Sequence, residues 1–417
     1  MPQRAVILSG SLGLGHDVVS EVVSGSLASL GWESRTLDCM ALLGPRAGQA
    51  GDWVFRRLMG RPEVFDGLHF AHLRAGSRLA TAMDRAATPR LLAALRGALD
   101  EEPAELIISV FAAGVPAAAW LAASGPPRRT GLAASGPVQS RPPLRTVVLC
   151  PDALPHATWV REGIDLFLVT SAAAEAGVRR YVPRARTAIV PPPVRPAFYR
   201  LMPQRTARSS LGIPAGAGCV LLMGGGWGLG PVEGAARALA AAGVHMLAVA
   251  GRNRRLEARL RSLAASSPRI HPYGYTPRIP ELMSACDIVV TLPGALTCGE
   301  ARAAGRRLVL IDAMPGHGRE NVQHQLELGG AEVSNPRPLE IARSVLAALE
   351  RPPPARLAGP PADWDQAFAA AMASIAAGPA GGPDPVGGAG RAGRAPSAPA
   401  LNDSHPHARS AREVGYP

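Results

Sequence analysis

Asp287-Ile-Val-Val-Thr291-Leu-Pro-Gly294-Ala-Leu-Thr297-Cys-Gly-Glu300-Ala301 runs a short β-branched stretch directly into a helix through a proline–glycine turn. The first half has the length and composition of a fully buried strand. A strand that feeds a helix this way is half of a βαβ unit, and such units build parallel sheets. The stretch also places polar groups usefully. Gly294 and Thr297 stand at the helix start, where free backbone N–H groups and the helix dipole favour an anion such as a phosphate. Glu300 lies one turn further in, where a carboxylate can accept both hydroxyls of a ribose. The alternative is an acid that only complements the helix dipole.

The same rhythm extends in both directions. Upstream, residues 219–223 read as a strand, followed by the loop Gly224-Gly225-Gly226-Trp-Gly228-Leu-Gly230 and a helix over 232–242. A strand over 246–250 ends in Gly251-Arg252-Asn253, and Gly274-Tyr275-Thr276 precedes a short helix over 279–284. Downstream, a strand over 308–311 leads to Pro315-Gly316-His317 and Asn321, with helices over 321–328 and 339–349. These polar groups all fall at the carboxyl ends of strands, where open parallel sheets bind ligands.

The first half repeats the pattern. Strands are expected over 6–9, 34–37, 106–110, 145–149 and 166–169, with a helix over 17–30 and an arginine-rich helical region over 52–99. Residues 106–124 carry no charge and approach the length of a membrane span, but Gly114 and Pro116 split them into strand, loop and helix. Pro191-Pro-Pro193 and Pro196 mark a seam. The division is therefore a first domain over 1–200, a second over 201–352, a terminal helix within 353–375 that packs back, and a tail over 376–417 of disordered composition.

A second glycine loop, Gly10-Ser-Leu-Gly13-Leu-Gly15-His16, follows the first strand. Neither loop matches G-x-G-x-x-G. Asp38 ends the second strand, where a dinucleotide-binding acid would sit, so a tight turn, a dinucleotide site and another ligand site all remain open. His16 at the helix mouth suits acid–base work better than pyrophosphate packing.

Composition narrows the chemistry. The formal net charge is +12, and every basic side chain other than histidine is arginine, since lysine is absent. Lysine-dependent chemistry, whether a P-loop, a Schiff base or a lysine nucleophile, is excluded. The positive balance favours anionic partners. The five cysteines match no metal motif and make a poor disulfide framework, which points to reduced thiols in a cytoplasmic protein. The first residues make a poor secretory signal. Asp363-Trp-Asp365, the sole D-x-D, reads as a chance surface pair rather than a metal site.

Taken together, Gly224-Gly225-Gly226, Gly251-Arg252-Asn253, Gly274-Tyr275-Thr276, the run ending at Glu300, and Pro315-Gly316 with Asn321 resemble the C-terminal domain of GT-B glycosyltransferases. The resemblance is nearest to the monogalactosyldiacylglycerol synthase and processive diacylglycerol glucosyltransferase family, with the MurG transferase more distant. In the first half, Gly13-Leu-Gly15-His16, then Asp152, His156 and Trp159, then Pro192-Pro-Val-Arg195-Pro-Ala-Phe198 resemble the same family. The resemblance covers residues 5 to 350. Leu292 stands where relatives often carry lysine, and Ala295 replaces a glycine. His317-Gly-Arg-Glu320 replaces a stretch richer in Gln and Glu that touches the donor sugar, which leaves the sugar open.

The resemblance implies an α/β protein of two facing Rossmann-like domains. It implies inverting transfer of a hexose from a UDP-sugar, as co-substrate, to the hydroxyl of a lipid acceptor such as diacylglycerol, with no cofactor and no metal. His16 is the first candidate for the general base, with capping or phosphate positioning as its alternative. His156 is the second, and Asp152 would polarise either. Donor contacts would come from Gly13, Gly15, Gly224, Gly225, Gly226, Arg252, Asn253, Tyr275, Thr276, Gly294, Thr297, Glu300, His317 and Asn321.

In the resembled family, the region over 52–99 lies near the acceptor. Its Trp53, Phe55, Leu58, Met59, Phe65, Leu68 and Phe70 alternate with Arg56, Arg57, Arg61, Arg74, Arg78, Arg85 and Arg90. Such a face can lie on an anionic bilayer, which would make the protein peripheral on the inner face of the plasma membrane; helices with a solvated arginine face are the alternative. Nucleic acid is disfavoured because the arginines are dispersed. Transfer to a soluble acceptor, or a non-catalytic nucleotide-binding protein at the membrane, are the competing functions.

Overall fold

Two parallel sheets of six strands each organise the chain. The computed structural model describes residues 3–11, 15–59, 61–124, 143–352 and 361–376. The first sheet holds β1 (Gln3–Ser9), β2 (Trp32–Asp38), β3 (Leu106–Ser109), β4 (Arg145–Cys150), β5 (Leu166–Val169) and β6 (Thr187–Ile189), in the order β2-β1-β3-β4-β5-β6. The second holds β7 (Cys219–Met223), β8 (His245–Val249), β9 (Ile270–Tyr273), β10 (Ile288–Thr291), β11 (Arg307–Ile311) and β12 (Ala331–Ser334), in the order β12-β11-β10-β7-β8-β9.

Helices α1 (Gly15–Ser29), α2 (Cys39–Leu42), α3 (Pro45–Met59), α4 (Pro62–Leu68), α5 (Arg78–Glu101), α6 (Val115–Ser124) and α7 (Ala172–Tyr181) accompany the first sheet in the chain, with α3 packed on α2 and α4 on α3. Helices α8 (Gln204–Ser210), α9 (Val232–Ala241), α10 (Arg254–Ser266), α11 (Ile279–Ala285), α12 (Ala295–Ala303), α13 (His317–Glu327) and α14 (Pro338–Leu349) surround the second. Strand order reverses between β1 and β3 and again between β7 and β10. At these two points the connections leave toward opposite sides and open a crevice at the strand ends.

The central strands are continuous apolar runs and lie buried on both faces, as their sequences require. The edge strands β6, β9 and β12 differ. They are only half-buried, carry polar residues, and show no apolar run for a sequence reading to find. The uncharged segment divides as expected, into β3, a 3-10 turn over Ala112–Gly114, and α6. Among the described residues, no helix is long and apolar enough to cross a membrane. The arginine-rich region resolves into α3, α4, a six-residue π-helix over His69–Arg74, and α5. Short π-helical turns are rare and concentrate at functional sites.

The last described helix, α15 (Pro361–Ala376), returns to the first half and packs on α1. Trp364, Phe368, Met372 and Ile375 join Val19, Val23 and Leu27 in one core. The indole Nε1–H of Trp364 donates to Ser26 Oγ at 2.8 Å, and that hydroxyl donates to Asp365 Oδ1 at 2.8 Å. Asp365 is exposed, and through this bond it also helps anchor α15 to α1. The side chain of Asp363, and the tail from residue 377 onward, lie outside the described residues. All five cysteines are buried free thiols.

Phe368 is fully enclosed, so Phe368→Ala should cost about 3–5 kcal/mol, read as a lower urea midpoint with an unchanged slope. A loss below about 1 kcal/mol would remove α15 from the core.

Candidate active site

The glycine loop after β7 is shaped by close backbone approach. Leu229 N–H donates to Gly224 O at 2.8 Å, and Arg252 N–H donates to Gly226 O at 2.8 Å. The loop thus leans on the end of β8. Gly228 has φ +59°, and a Cβ there would run into Ala250 O, so no other residue fits. Gly225 lies half-buried beside it. Arg252 stacks over the Tyr275 ring at 5.1 Å, on the surface. Asn253 and Thr276 serve the local backbone: Asn253 Oδ1 caps α10 by accepting from Leu256 N–H at 3.0 Å, and Thr276 Oγ1 accepts from Arg278 N–H at 3.1 Å. Gly294 is the N-cap of α12, and Thr297 is half-buried in its first turn.

Glu300 is 3% exposed. Burial raises its pKa above the usual value, and Arg195 pulls it back. Arg195 Nε and Nη2 both reach Glu300 Oε1, at 3.1 and 2.8 Å. The guanidinium also lies over the Phe198 ring at 5.0 Å. Sequence reading placed Arg195 only in the linker. Its partner lies 105 residues away, so no local pattern could reveal the pair.

Across from this half, His16 sits in the first turn of α1, at the β1–β3 switch point. Its Nδ1 is 2.8 Å from Val110 O. A carbonyl oxygen only accepts, so Nδ1 carries the hydrogen and Nε2 is the basic atom. Phe111 and Trp159 flank the ring, at 5.0 and 6.3 Å between centroids. Burial lowers the His16 pKa, the Asp152 carboxylate works against that, and His317 adds to the lowering. His156 Nδ1 lies 2.6 Å from Thr158 Oγ1. Burial takes His156 down to about 3, again opposed by Asp152 and aided by His69, His317 and Arg74. Trp159 is core: 2% exposed, it forms a wall behind both histidines.

The structure therefore brings His16, Asp152, His156 and His317 into one electrostatic group. Among the described contacts, those of Arg252, Asn253, Tyr275 and Thr276 do not reach it. Gly15 opens α1, and Gly13 lies outside the described residues. Asn321 is buried, and its Oδ1 accepts from Ala153 N–H at 3.0 Å, beside Asp152. Among the described residues, no group of three or more His, Cys, Asp or Glu is disposed to hold a metal ion.

Sequence reading did not single out Asp66 or His69, grouped Arg74 with the arginine-rich face, and named Glu320 only within the donor-sugar stretch. His69 is 1% exposed, with its ring 5.9 Å from His156 and 6.1 Å from His317. Arg74 Nη1 donates to Pro155 O at 2.5 Å. Both belong to the π-helix, and no sequence period announces such a turn.

Comparison with known proteins bears on the fold and the family. Residues 231–346 match the model of the glycosyltransferase family 28 C-terminal domain. The chain is 31% identical over 212 residues to the chloroplastic monogalactosyldiacylglycerol synthase of Spinacia oleracea, covering 48% of this chain and 40% of that protein. It is likewise 31% identical over 212 residues to monogalactosyldiacylglycerol synthase 1 of Arabidopsis thaliana, covering 48% and 39%. The chain thus spans about two fifths of the length of these curated relatives. In fold, it is similar to a Phytolacca americana enzyme solved with UDP-2-fluoro-glucose and pterostilbene, at TM-score 0.52 and 13% identity over 89% of this chain and 94% of that one. A Polygonum tinctorium UDP-glucosyltransferase gives TM-score 0.51 and 14% identity, over 90% and 94%. The fold is GT-B, and the resemblance to monogalactosyldiacylglycerol synthases read from the motifs holds over about half the chain.

The Arg195–Glu300 pair makes a stability prediction. Arg195→Met strands a buried carboxylate and should cost about 3–5 kcal/mol at neutral pH. Glu300→Gln in the same background should restore most of it. A carboxyl with a raised folded pKa binds its proton more readily in the native state, so the single variant should regain stability, relative to wild type, as pH falls from 7 toward 5. Additive losses in the double variant, measured by urea unfolding, would contradict the pairing.

Proposed function

We propose that this protein transfers a hexose from a UDP-sugar to the hydroxyl of a lipid acceptor, diacylglycerol or a glycolipid, with inversion and without a metal. One observation carries the proposal: at the seam, His69 lies with its ring 5.9 Å from His156 of the first half and 6.1 Å from His317, which belongs to the segment that matches the transferase domain, and Asn321 Oδ1 accepts from Ala153 N–H beside Asp152. The similarity to monogalactosyldiacylglycerol synthases supports the acceptor class.

In the transfer, the acceptor oxygen attacks the anomeric carbon as the bond from that carbon to the diphosphate breaks. The acceptor proton passes to His16 Nε2. Burial keeps that imidazole neutral at rest, so it is ready to take a proton, and Asp152 stabilises the imidazolium that forms. The departing UDP carries the negative charge away. The N-terminus of α12 and the amides of the loop at Gly224–Gly226 supply positive dipole ends for it, so this mechanism needs no metal. Glu300, held in place by Arg195, would accept the ribose hydroxyls.

The acceptor would approach over α3 to α5. Trp53 is 62% exposed there, and Val54, Val64, Phe70, Leu79 and Met83 are exposed as well, among exposed Arg57, Arg61, Arg78 and Arg85. An apolar face with basic flanks suits the surface of an anionic leaflet, and hence a peripheral place on the cytoplasmic side of a membrane. Phe65 and Arg74, grouped with that face in the sequence, turn inward instead. The side chains of Phe55, Arg56 and Met59 lie outside the described residues.

His16→Ala should cut kcat by roughly 100-fold or more while UDP affinity stays within a few-fold. Near-normal turnover would remove His16 as the base. Glu300→Ala should do the opposite, weakening UDP binding first. Because burial holds the His16 pKa below 6.5, kcat/KM should persist at neutral pH and fall only on acidification below that value. An acid limb centred above it would assign the base elsewhere. Flotation with anionic liposomes should carry the protein upward, and neutral liposomes should carry less; binding to neither would favour a soluble acceptor.

A further inference from the structure

We propose that Asp66 and Glu320 are positioning residues: together they clamp the first turn of α13 against the first half of the chain, and so place His317 and Asn321 opposite His16 and His156. The proposal rests on the transferase reading for its catalytic consequence, and on geometry for the clamp itself.

Asp66, in α4, reaches across the cleft to the start of a helix in the other half. Its Oδ1 accepts from Gly316 N–H at 2.6 Å, and Oδ2 accepts from Arg319 Nε at 2.9 Å. A helix of the second half is thus capped by a carboxylate of the first. The approach depends on Gly316, which has φ +66° and no room for a side chain: a Cβ would stand 2.5 Å from the Phe65 ring. Glu320 answers from the other direction. Its Oε1 lies 3.1 Å from Arg74 Nε, and its Oε2 lies 3.5 Å from His69 Nε2. Arg74 in turn holds Pro155 O, one residue before His156. A continuous path therefore joins α13, Glu320, Arg74 and the segment that carries the second histidine.

The clamp has slack in one place. His69 Nε2 and Glu320 Oε2 are both buried and face each other without a hydrogen bond. A donor laid on the first turn of α13 is aligned with His16 only as firmly as this seam holds. Misplacement by about 1 Å costs on the order of 100-fold in rate.

The test uses the full chain with Asp66→Ala, Glu320→Ala and the double variant, followed by hydrogen exchange, UDP affinity and kcat. Each single change should raise exchange over residues 61–74 and 316–320 and lower kcat by about 10- to 100-fold, with UDP affinity within about threefold. The double variant should lose less than the product of the two, because both act on one closure. Glu320→Gln, which still accepts from Arg74, should recover part of the kcat. If Asp66→Ala fails to fold, Arg319→Gln removes the exposed arm of the same contact and should show the same split more weakly. Unchanged exchange over 316–320 would overturn the clamp. A fall in kcat, UDP affinity and unfolding midpoint together would also overturn it, as general damage. If wild type transfers no sugar, the function fails while the exchange result still judges the clamp.

Discussion

Desolvation at the seam between the two sheets governs both halves of the site. Water is largely displaced there, so any charge needs a partner and any unpaired titratable group stays neutral. The imidazoles of His16 and His156 follow the second course. Two carboxylates follow the first with an arginine, Glu300 with Arg195 and Glu320 with Arg74; at the amino end of β10, away from the seam, Asp287 does the same with Arg208 through two contacts at 2.8 Å. In a chain without lysine this is a consistent solution. The guanidinium stays charged when buried and matches a carboxylate with a fork of donors. Asp84 shows how fine the balance is. Burial raises its pKa even though Arg161 lies against it, and Arg161 also ties down Ala157 O beside His156.

The parallel sheets bring these groups together. Each reverses strand order once, and the loops at both reversals open toward ligand. His16 is fixed at one reversal by Val110 O, and Gly294 begins α12 at the other. The π-helical turn at His69–Arg74 supplies the link between halves. It sets His69 and Arg74 inward while Phe70 remains on the outer surface. One short segment thus faces both the proposed acceptor surface and the donor helix.

Much of this was legible in the sequence, and the rest was not for identifiable reasons. Central strands and their glycine turns were readable because burial on both faces writes an unbroken apolar run. Edge strands such as β6 and β12 were not, since one side is free to carry polar residues. Glu300, His16 and His156 could be picked out from their place at strand ends. Their partners could not: Asp66 and Gly316 lie 250 residues apart, and only the folded chain joins them. Asn253 and Thr276 could be read by position as ligand groups; in the fold Asn253 also caps α10 and Thr276 also holds its own turn.

In the proposed reaction, two halves joined at a desolvated seam move a sugar onto a lipid hydroxyl. The most direct measurement incubates the purified chain with UDP-glucose or UDP-galactose and diacylglycerol in mixed micelles, then weighs the lipid products by mass spectrometry. The account predicts a hexosyl-diacylglycerol, with one UDP released for each hexose transferred. UDP binding with no donor consumed, or sugar released only to water, would contradict it.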